Sequence, residues 1–368
     1  MRRLSWGVAA ATGGPDTQHP RKKSRRAVGP RTPRNIAACI IATMVLAGAG
    51  LVGCAAANKS HPLPPETASL PQLGFTVRMS MPESRYGETF QDLQGVGATW
   101  ARVGAYWEDQ HKADLVIQAA TAHGVNLLIT GTLPEAQLHG RDAVNTGQFA
   151  AQMADTAQRF KGKGPNGTSP AFEILNEANG SVPAATYVQL TCATHAALQA
   201  VDPNIRLIAG SAQMYIDRPH WDSWLRELFD GGIGRCIEAL DAHDYQDISW
   251  ETPARSALST MKSIMVEHGY AQMPIWLTEF GASTCAGPRK PGGCYTESGQ
   301  AAKIVGTVEE LRAHYPYVPV AMIYTDRDII SDGSFESSFG IWHADSQNVA
   351  AAPKPAVEAL KRLYGYGG

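Results

Sequence analysis

The sequence has 368 residues, 44% of them hydrophobic and 18% charged, with a formal net charge of −2. That supplies ample apolar side chain for a large core and excludes a chain too polar to fold. The basic residues concentrate before position 35, which leaves the remainder acidic and without the basic face that nucleic-acid binding needs.

In chain order, Arg21, Lys22, Lys23, Arg25, Arg26, Arg31 and Arg34 precede the apolar run 36–52, IAACIIATMVLAGAGLV, which ends in small residues. Basic, then apolar, then small is the layout of an export signal. The run is short for a bilayer-spanning helix, with an uncleaved membrane anchor as the other reading. It closes on Leu51-Val52-Gly53-Cys54, which resembles a bacterial lipobox. That resemblance implies that 1–54 is a signal segment and that Cys54 is lipidated, tying an exported protein to the membrane. Residues 55–72 carry Pro, Ala and Ser without periodicity and read as a tether. A folded domain over 73–368 follows.

The cysteines fit an exported protein. Beyond Cys39 and Cys54, four remain, an even number that predicts two disulfides in an oxidising compartment. Cys285 and Cys294 bracket the loop AGPRKPGG, so they pair locally and Cys192 pairs with Cys236. A zinc site is the rival reading, but the tight Cys-x-x-Cys spacing is missing.

From Leu73 onward, short apolar runs alternate with amphipathic ones. Strands are expected at 74–79, 99–103, 126–130, 171–175, 206–209, 237–242, 275–278 and 318–324, each bounded by turn residues. Helices are expected at 113–123, 146–160, 185–200, 253–268, 298–314 and 355–364, from apolar spacings of three and four. Pro355 suits a first helical position. Strands alternating with helices imply a parallel sheet, and eight units predict an α/β fold of the (β/α)8 TIM-barrel class. An open doubly wound sheet is the alternative, but no Gly-rich turn follows the first strand.

A β/α barrel puts its chemistry at the C-terminal ends of its strands. The fourth strand runs into FEILNEANG, which contains Asn176, Glu177 and Ala178, and the seventh into IWLTEFG with Glu279. Two carboxylates leaving apolar strands at one mouth can flank a glycosidic bond, one protonating the leaving group and one attacking. Taken singly, each glutamate is as well explained as a solvated strand-end residue. A mechanism run by two carboxylates calls for no metal and no other cofactor.

FEILNEANG and IWLTEFG resemble the two signatures of glycoside hydrolase clan A, most of all families 39 and 5. The resemblance implies a retaining glycosidase acting on a polysaccharide or oligosaccharide. Glu177 would be the acid/base, Glu279 the nucleophile, and Asn176 a ligand of the neighbouring sugar hydroxyl. It extends to His243-Asp244-Tyr245, where Tyr245 would bond the nucleophile, and to Arg102, placed beside it. The residues alone also allow Arg102 to pair with a buried Glu173, which shares the inward face with Glu177 by period two. Likewise His243 reads equally as a structural histidine. Trp107 and Tyr106 could stack on sugar, or simply pack. The clan's Pro after the acid/base is Ala178 here, its Trp before the Asn is Leu175, and its platform Trp is replaced by Tyr324 or by Trp342 from the next loop. These changes fall on the sugar-binding side and leave room for two alternatives, a non-hydrolytic glycan-binding barrel and a transglycosylase. Asp326, Asp328 and Asp332 read as solvated loop acids rather than a calcium site. A monomer is expected.

Overall fold

Apolar strands and amphipathic helices alternate around a closed ring. The computed structural model describes residues 69–212, 218–246, 256–286, 293–329 and 334–366. Eight parallel strands form the barrel: β1 (Gln72–Thr76), β2 (Trp100–Gly104), β3 (Asn126–Gly131), β4 (Ala171–Ile174), β5 (Leu207–Ala209), β6 (Ala239–His243), β7 (Ile275–Phe280) and β8 (Val320–Tyr324). β1 closes on β8, in register from Gln72↔Val320 to Thr76↔Tyr324. This is a (β/α)8 barrel, as the alternation predicts.

Both faces of each strand are covered, which is why the strands read as continuous apolar runs. Inward residues at the strand starts, among them Trp100, Leu128, Ile208, Trp276 and Met322, fill the lower barrel. Trp100 and Trp276 meet edge to face at 4.8 Å, and the Arg206 guanidinium lies 5.2 Å from each ring. Gly74 shares this layer because a Cβ there would come within 2.8 Å of Met322 Cγ and 2.9 Å of Trp100 Cβ. Outward residues such as Phe172, Ile174, Leu240, Leu277 and Ile323 pack against the helices.

The helices are α1 (Tyr86–Gly95), α2 (Gln110–Ala122), the short α3 (Glu135–Leu138), α4 (Thr146–Phe160), α5 (Ala184–Val201), α6 (Arg218–Asp230), α7 (Ala257–Glu267), α8 (Glu297–His314) and α9 (Pro355–Tyr364). Their ends follow local chemistry. Asn145 caps α4 by accepting from the Gln148 N–H at 3.0 Å. Pro355 opens α9, and Gly365, at φ 78°, closes it. The inner face of α4 buries Phe149, Met153 and Phe160, each contributing about 1.5–3 kcal/mol by removal from water. A hairpin of β9 (Trp342–Ala344) and β10 (Ala350–Pro353) lies between β8 and α9.

Several expectations shift. β1 begins at Gln72 and ends at Thr76, so barrel structure starts one residue before the expected boundary and β1 stops short of 79. β7 runs two residues past 278, and β6 opens at 239 rather than 237. α1, α3, α6 and the hairpin were not expected. Both disulfides form as paired above, Cys192–Cys236 and Cys285–Cys294. The lipobox, Cys54 and nearly all of the tether lie outside the described residues. Among the described residues no helix is long and apolar enough to cross a membrane.

Candidate active site

One step above the apolar layer, the inward positions turn polar: Thr76, Arg102, Thr130, Glu173, Asp241 and Thr278 are all buried. Arg102 organises this layer. Its Nε and Nη2 donate to Glu173 Oε2 and Oε1 at 2.5 and 2.7 Å. Its Nη2 also reaches Asn176 Oδ1 at 2.7 Å, and Nη1 donates to Glu279 Oε1 at 2.6 Å. A single guanidinium thus fastens β2 to the ends of β4 and β7. Burial disfavours this cation, but Glu173 and Glu279 outweigh burial and hold its pKa above the ordinary arginine value.

The two carboxyls below the mouth are pushed to opposite sides of the usual carboxylate range. Burial works against the Glu173 anion, yet Arg102 more than offsets it and leaves the pKa below the usual carboxylate range. Asp241 is driven the other way, by burial first and then by the Glu173 charge, which raise its pKa well above the usual carboxylate range. Thr130 Oγ1 donates to Glu173 at 2.6 Å, and Thr278 Oγ1 donates to Asp241.

Local backbone features deliver the glutamates. β6 and β7 slip register between Ala242↔Leu277 and His243↔Glu279, so β7 carries an extra residue at Thr278. Strict alternation after the inward Thr278 would turn Glu279 toward the helices; the bulge returns it to the mouth beside His243. After β4, Leu175 and Glu177 both adopt left-handed backbone, at φ 55° and 47°. Each such residue costs about 1–3 kcal/mol, a strain that persists only where the surroundings impose it. Ser211, just past β5, supplies that restraint. It accepts from the Glu177 N–H at 2.9 Å and donates to the Leu175 carbonyl at 3.4 Å. Glu177 therefore reaches the mouth by a left-handed turn, not by simple period-two alternation from Glu173.

The two carboxylates meet over His243. One oxygen of Glu177, one oxygen of Glu279 and a ring nitrogen of His243 lie within 4.8 Å of one another. His243 Nδ1 is 3.1 Å from Glu177 Oε1 and 3.5 Å from Glu279 Oε2. Burial lowers the imidazole pKa, but Glu279, the Glu177 hydrogen bond and Asp241 together raise it to about 9. Tyr245 Oη donates to Glu279 Oε2 at 2.6 Å. Glu279 is buried, and the Glu177 side chain keeps 14% exposure at the mouth. Glu177, His243 and Glu279, or Glu173, Asp241 and His243, are close enough to hold a cation. Arg102 already engages Glu279 and Glu173, so a metal at either place would compete with its guanidinium.

No protein-family model matches the chain, and no curated protein matches it. Solved structures do. The chain is similar to a family 39 glycoside hydrolase from Bacteroides cellulosilyticus WH2, with TM-score 0.63 and 18% identity over 80% of this chain and 64% of that one. It is similar to a GH5_18 protein from Streptomyces cattleya solved with GlcNAc, with TM-score 0.57 and 14% identity over 81% of each chain. It is also similar to a GH2 beta-galacturonidase from Eisenbergiella tayi, with TM-score 0.56 and 16% identity over 82% of this chain and 52% of that one. The fold is shared with glycoside hydrolases. At these identities the likeness is one of fold, and the chain spans under two thirds of the family 39 and GH2 structures.

The structure brings Glu177, Glu279, Asn176, Arg102, His243 and Tyr245 together. Arg102 meets both partners weighed for it, Glu173 and Glu279. The aromatic candidates fare differently. Trp107 packs edge-on against Phe149 of α4 at 5.4 Å, which is the packing alternative. Trp342 is buried against Phe75 in the outer layer and presents no platform. Tyr324 is at the mouth but 8% exposed, walled by Tyr245, Phe339 and the Arg78 guanidinium. Asp326 and Asp328 are not solvated loop acids, because Arg327 pairs with the first and Lys354 with the second at 2.8 Å. Asp332 lies outside the described residues. Sequence reasoning missed Ser211, Asp241 and Phe335, which is 40% exposed and 5.0 Å from Phe339. Of these only Asp241 carried a signal, as a third inward carboxyl beside the His-x-Tyr pattern.

Proposed function

We propose that this protein is a retaining glycoside hydrolase, exported and held to the membrane by lipid on Cys54, with a 55–72 tether and a catalytic domain over 73–368. The carrying observation is the approach of Glu177 and Glu279, with carboxylate oxygens within 4.8 Å at the open end of the barrel. Retaining enzymes place their carboxyls about 5–5.5 Å apart, whereas inverting enzymes need about 6.5–9.5 Å to admit water. The fold shared with glycoside hydrolases supports the same reading.

Glu279 is the nucleophile. Arg102 and Tyr245 each donate to one of its oxygens, fixing the carboxylate in place and compensating its charge. As Glu279 attacks the anomeric carbon, the bond to the leaving oxygen breaks and that oxygen takes a proton from Glu177. Water then displaces Glu279, giving its proton to Glu177, and the configuration is retained. Asn176, fixed through Oδ1 by Arg102, faces solvent at the same mouth, where a sugar hydroxyl would sit. The disulfides suit an oxidising, exported setting.

The test is kinetic. Glu279→Gln removes the covalent step and lowers turnover of aryl glycosides by several orders of magnitude. Glu177→Ala keeps part of the first step with an activated leaving group, accumulates glycosyl-enzyme, and is rescued by azide with retained configuration. An inverted azide product rules out retention. Wild-type protein that binds glycans but labels no residue with an activated glycoside is instead a non-hydrolytic barrel.

A further inference from the structure

On β1 the inward positions run Gly74, Thr76 and then Arg78, which lies two residues past the strand end and therefore at the mouth. Its guanidinium carbon sits 5.2 Å from the Tyr324 ring centroid. Tyr324 in turn is 6.2 Å from the Tyr245 ring, whose hydroxyl bonds Glu279. Arg78 is thus one aromatic ring away from the nucleophile's own partner. It is half-buried. Among the described residues its side chain has no hydrogen-bond acceptor and no carboxylate within 4.0 Å, unlike Arg102 and Arg327, which are fully paired.

Among the described residues, the charges that reach Arg78 are Glu279, Glu336 and Asp326, all felt at longer range. Glu279 is taken by Arg102 and Tyr245, and Asp326 by Arg327. Glu336, on the loop after β8, attracts Arg78 across a distance but forms no ion pair with it within 4.0 Å. A partly buried guanidinium without an acceptor is costly, and burial is the main influence pulling its pKa below the ordinary arginine value. An anion with two oxygens in a plane matches the guanidinium fork and removes that cost.

We infer that Arg78 is a recognition residue for an anionic substituent, a carboxylate or a sulfate ester, on the sugar held against Glu279. This deepens the glycosidase reading and names its substrate class: acidic glycans built of uronic acid or sulfated sugar. The Tyr324 ring under the guanidinium holds Arg78 in place beside the mouth, and Arg78 selects the sugar's charge.

The experiment uses binding, so that it does not depend on turnover. Calorimetry on the full chain in detergent, wild type and Arg78 variants, is run with three sets of oligosaccharides: uronic acid-containing, their carboxyl-reduced neutral counterparts, and sulfated neutral sugars. Wild type should prefer one acidic set over the neutral one. Arg78→Ala should weaken that set alone by about tenfold to a hundredfold, the usual range for hydrogen bonds to charged groups. Arg78→Lys, which keeps the charge but not the fork, should recover part of the loss and guards against a folding defect. The acidic set preferred tells carboxylate from sulfate. Equal binding of acidic and neutral sets, no binding of either acidic set, or an equal loss on all sets in Arg78→Ala overturns the inference. Turnover of neutral aryl glycosides is read separately, so an inactive protein that still selects acidic sugar through Arg78 sinks only the hydrolase reading.

Discussion

His243 has no solvent with which to share a charge, yet it stands among Glu177, Glu279 and Asp241. Burial alone would leave it neutral; the neighbouring carboxylates reverse this and carry its pKa from 6.5 to about 9. A folded pKa raised above the unfolded one stabilises the protein fully below about pH 6.5. That stabilisation fades as pH climbs and is gone once it passes about 9. The shift corresponds to about 3 kcal/mol between the two limits. Urea unfolding followed from pH 6 to pH 10 should show wild type losing stability over this window, and His243→Gln should lack that loss. Parallel pH profiles for the two proteins would show that His243 is not the charged bridge. The same residue illustrates what sequence can convey. His-x-Tyr at the end of a sixth strand located both side chains, and Tyr245 meets Glu279 as the resemblance implies. Which glutamate His243 would face was not readable, because a register slip between β6 and β7 decides it.

At the scale of elements, apolar strand runs were legible because a barrel strand is buried on both faces. Helices with a clear stripe, such as α4 and α9, appear at their expected bounds. α1 escaped notice although Tyr86, Phe90 and Leu93 share one buried face, since Gly87 and Gly95 weaken its helical signature. The left-handed turn at Leu175 and Glu177 had no local signal; neither residue favours that backbone, and Ser211 from the next unit imposes it. Tertiary contact, not propensity, shapes the site here. The Cys192–Cys236 bridge shows the same dependence between units. It ties α5 to the chain entering β6, across 44 residues that contain β5 and α6. Closing a loop of that length is worth about 4 kcal/mol by chain entropy, and bridges usually deliver about 2–4. The double variant Cys192→Ser/Cys236→Ser should lose that much unfolding free energy. Because Cys236 enters β6 at the end away from the mouth, labelling of Glu279 should be unchanged in the folded variant. A variant of wild-type stability, or one that is stable but unlabelled, would contradict this division between scaffold and site.

For the whole molecule, the composition falls into three parts with different solvents. The basic and apolar segment up to Cys54 suits a membrane and its surface, residues 55–72 suit water, and the barrel suits an oxidising exterior where its two disulfides persist. On the proposed lipidation of Cys54, a stable anchor requires more than one acyl chain, because a single chain gives only marginal, reversible membrane binding. The anchor can be tested apart from the chemistry. In the host cell, wild type should partition into detergent and label with a fatty-acid probe, while Cys54→Ala should remain unprocessed or appear in the soluble fraction without label. The Cys54→Ala barrel, released by proteolysis within 55–72, should keep wild-type kcat/KM on a small aryl glycoside but lose activity on intact envelope. If Cys54→Ala stays in the membrane as wild type does and neither protein takes up the probe, the lipobox is not the anchor and the apolar run 36–52 takes that role uncleaved.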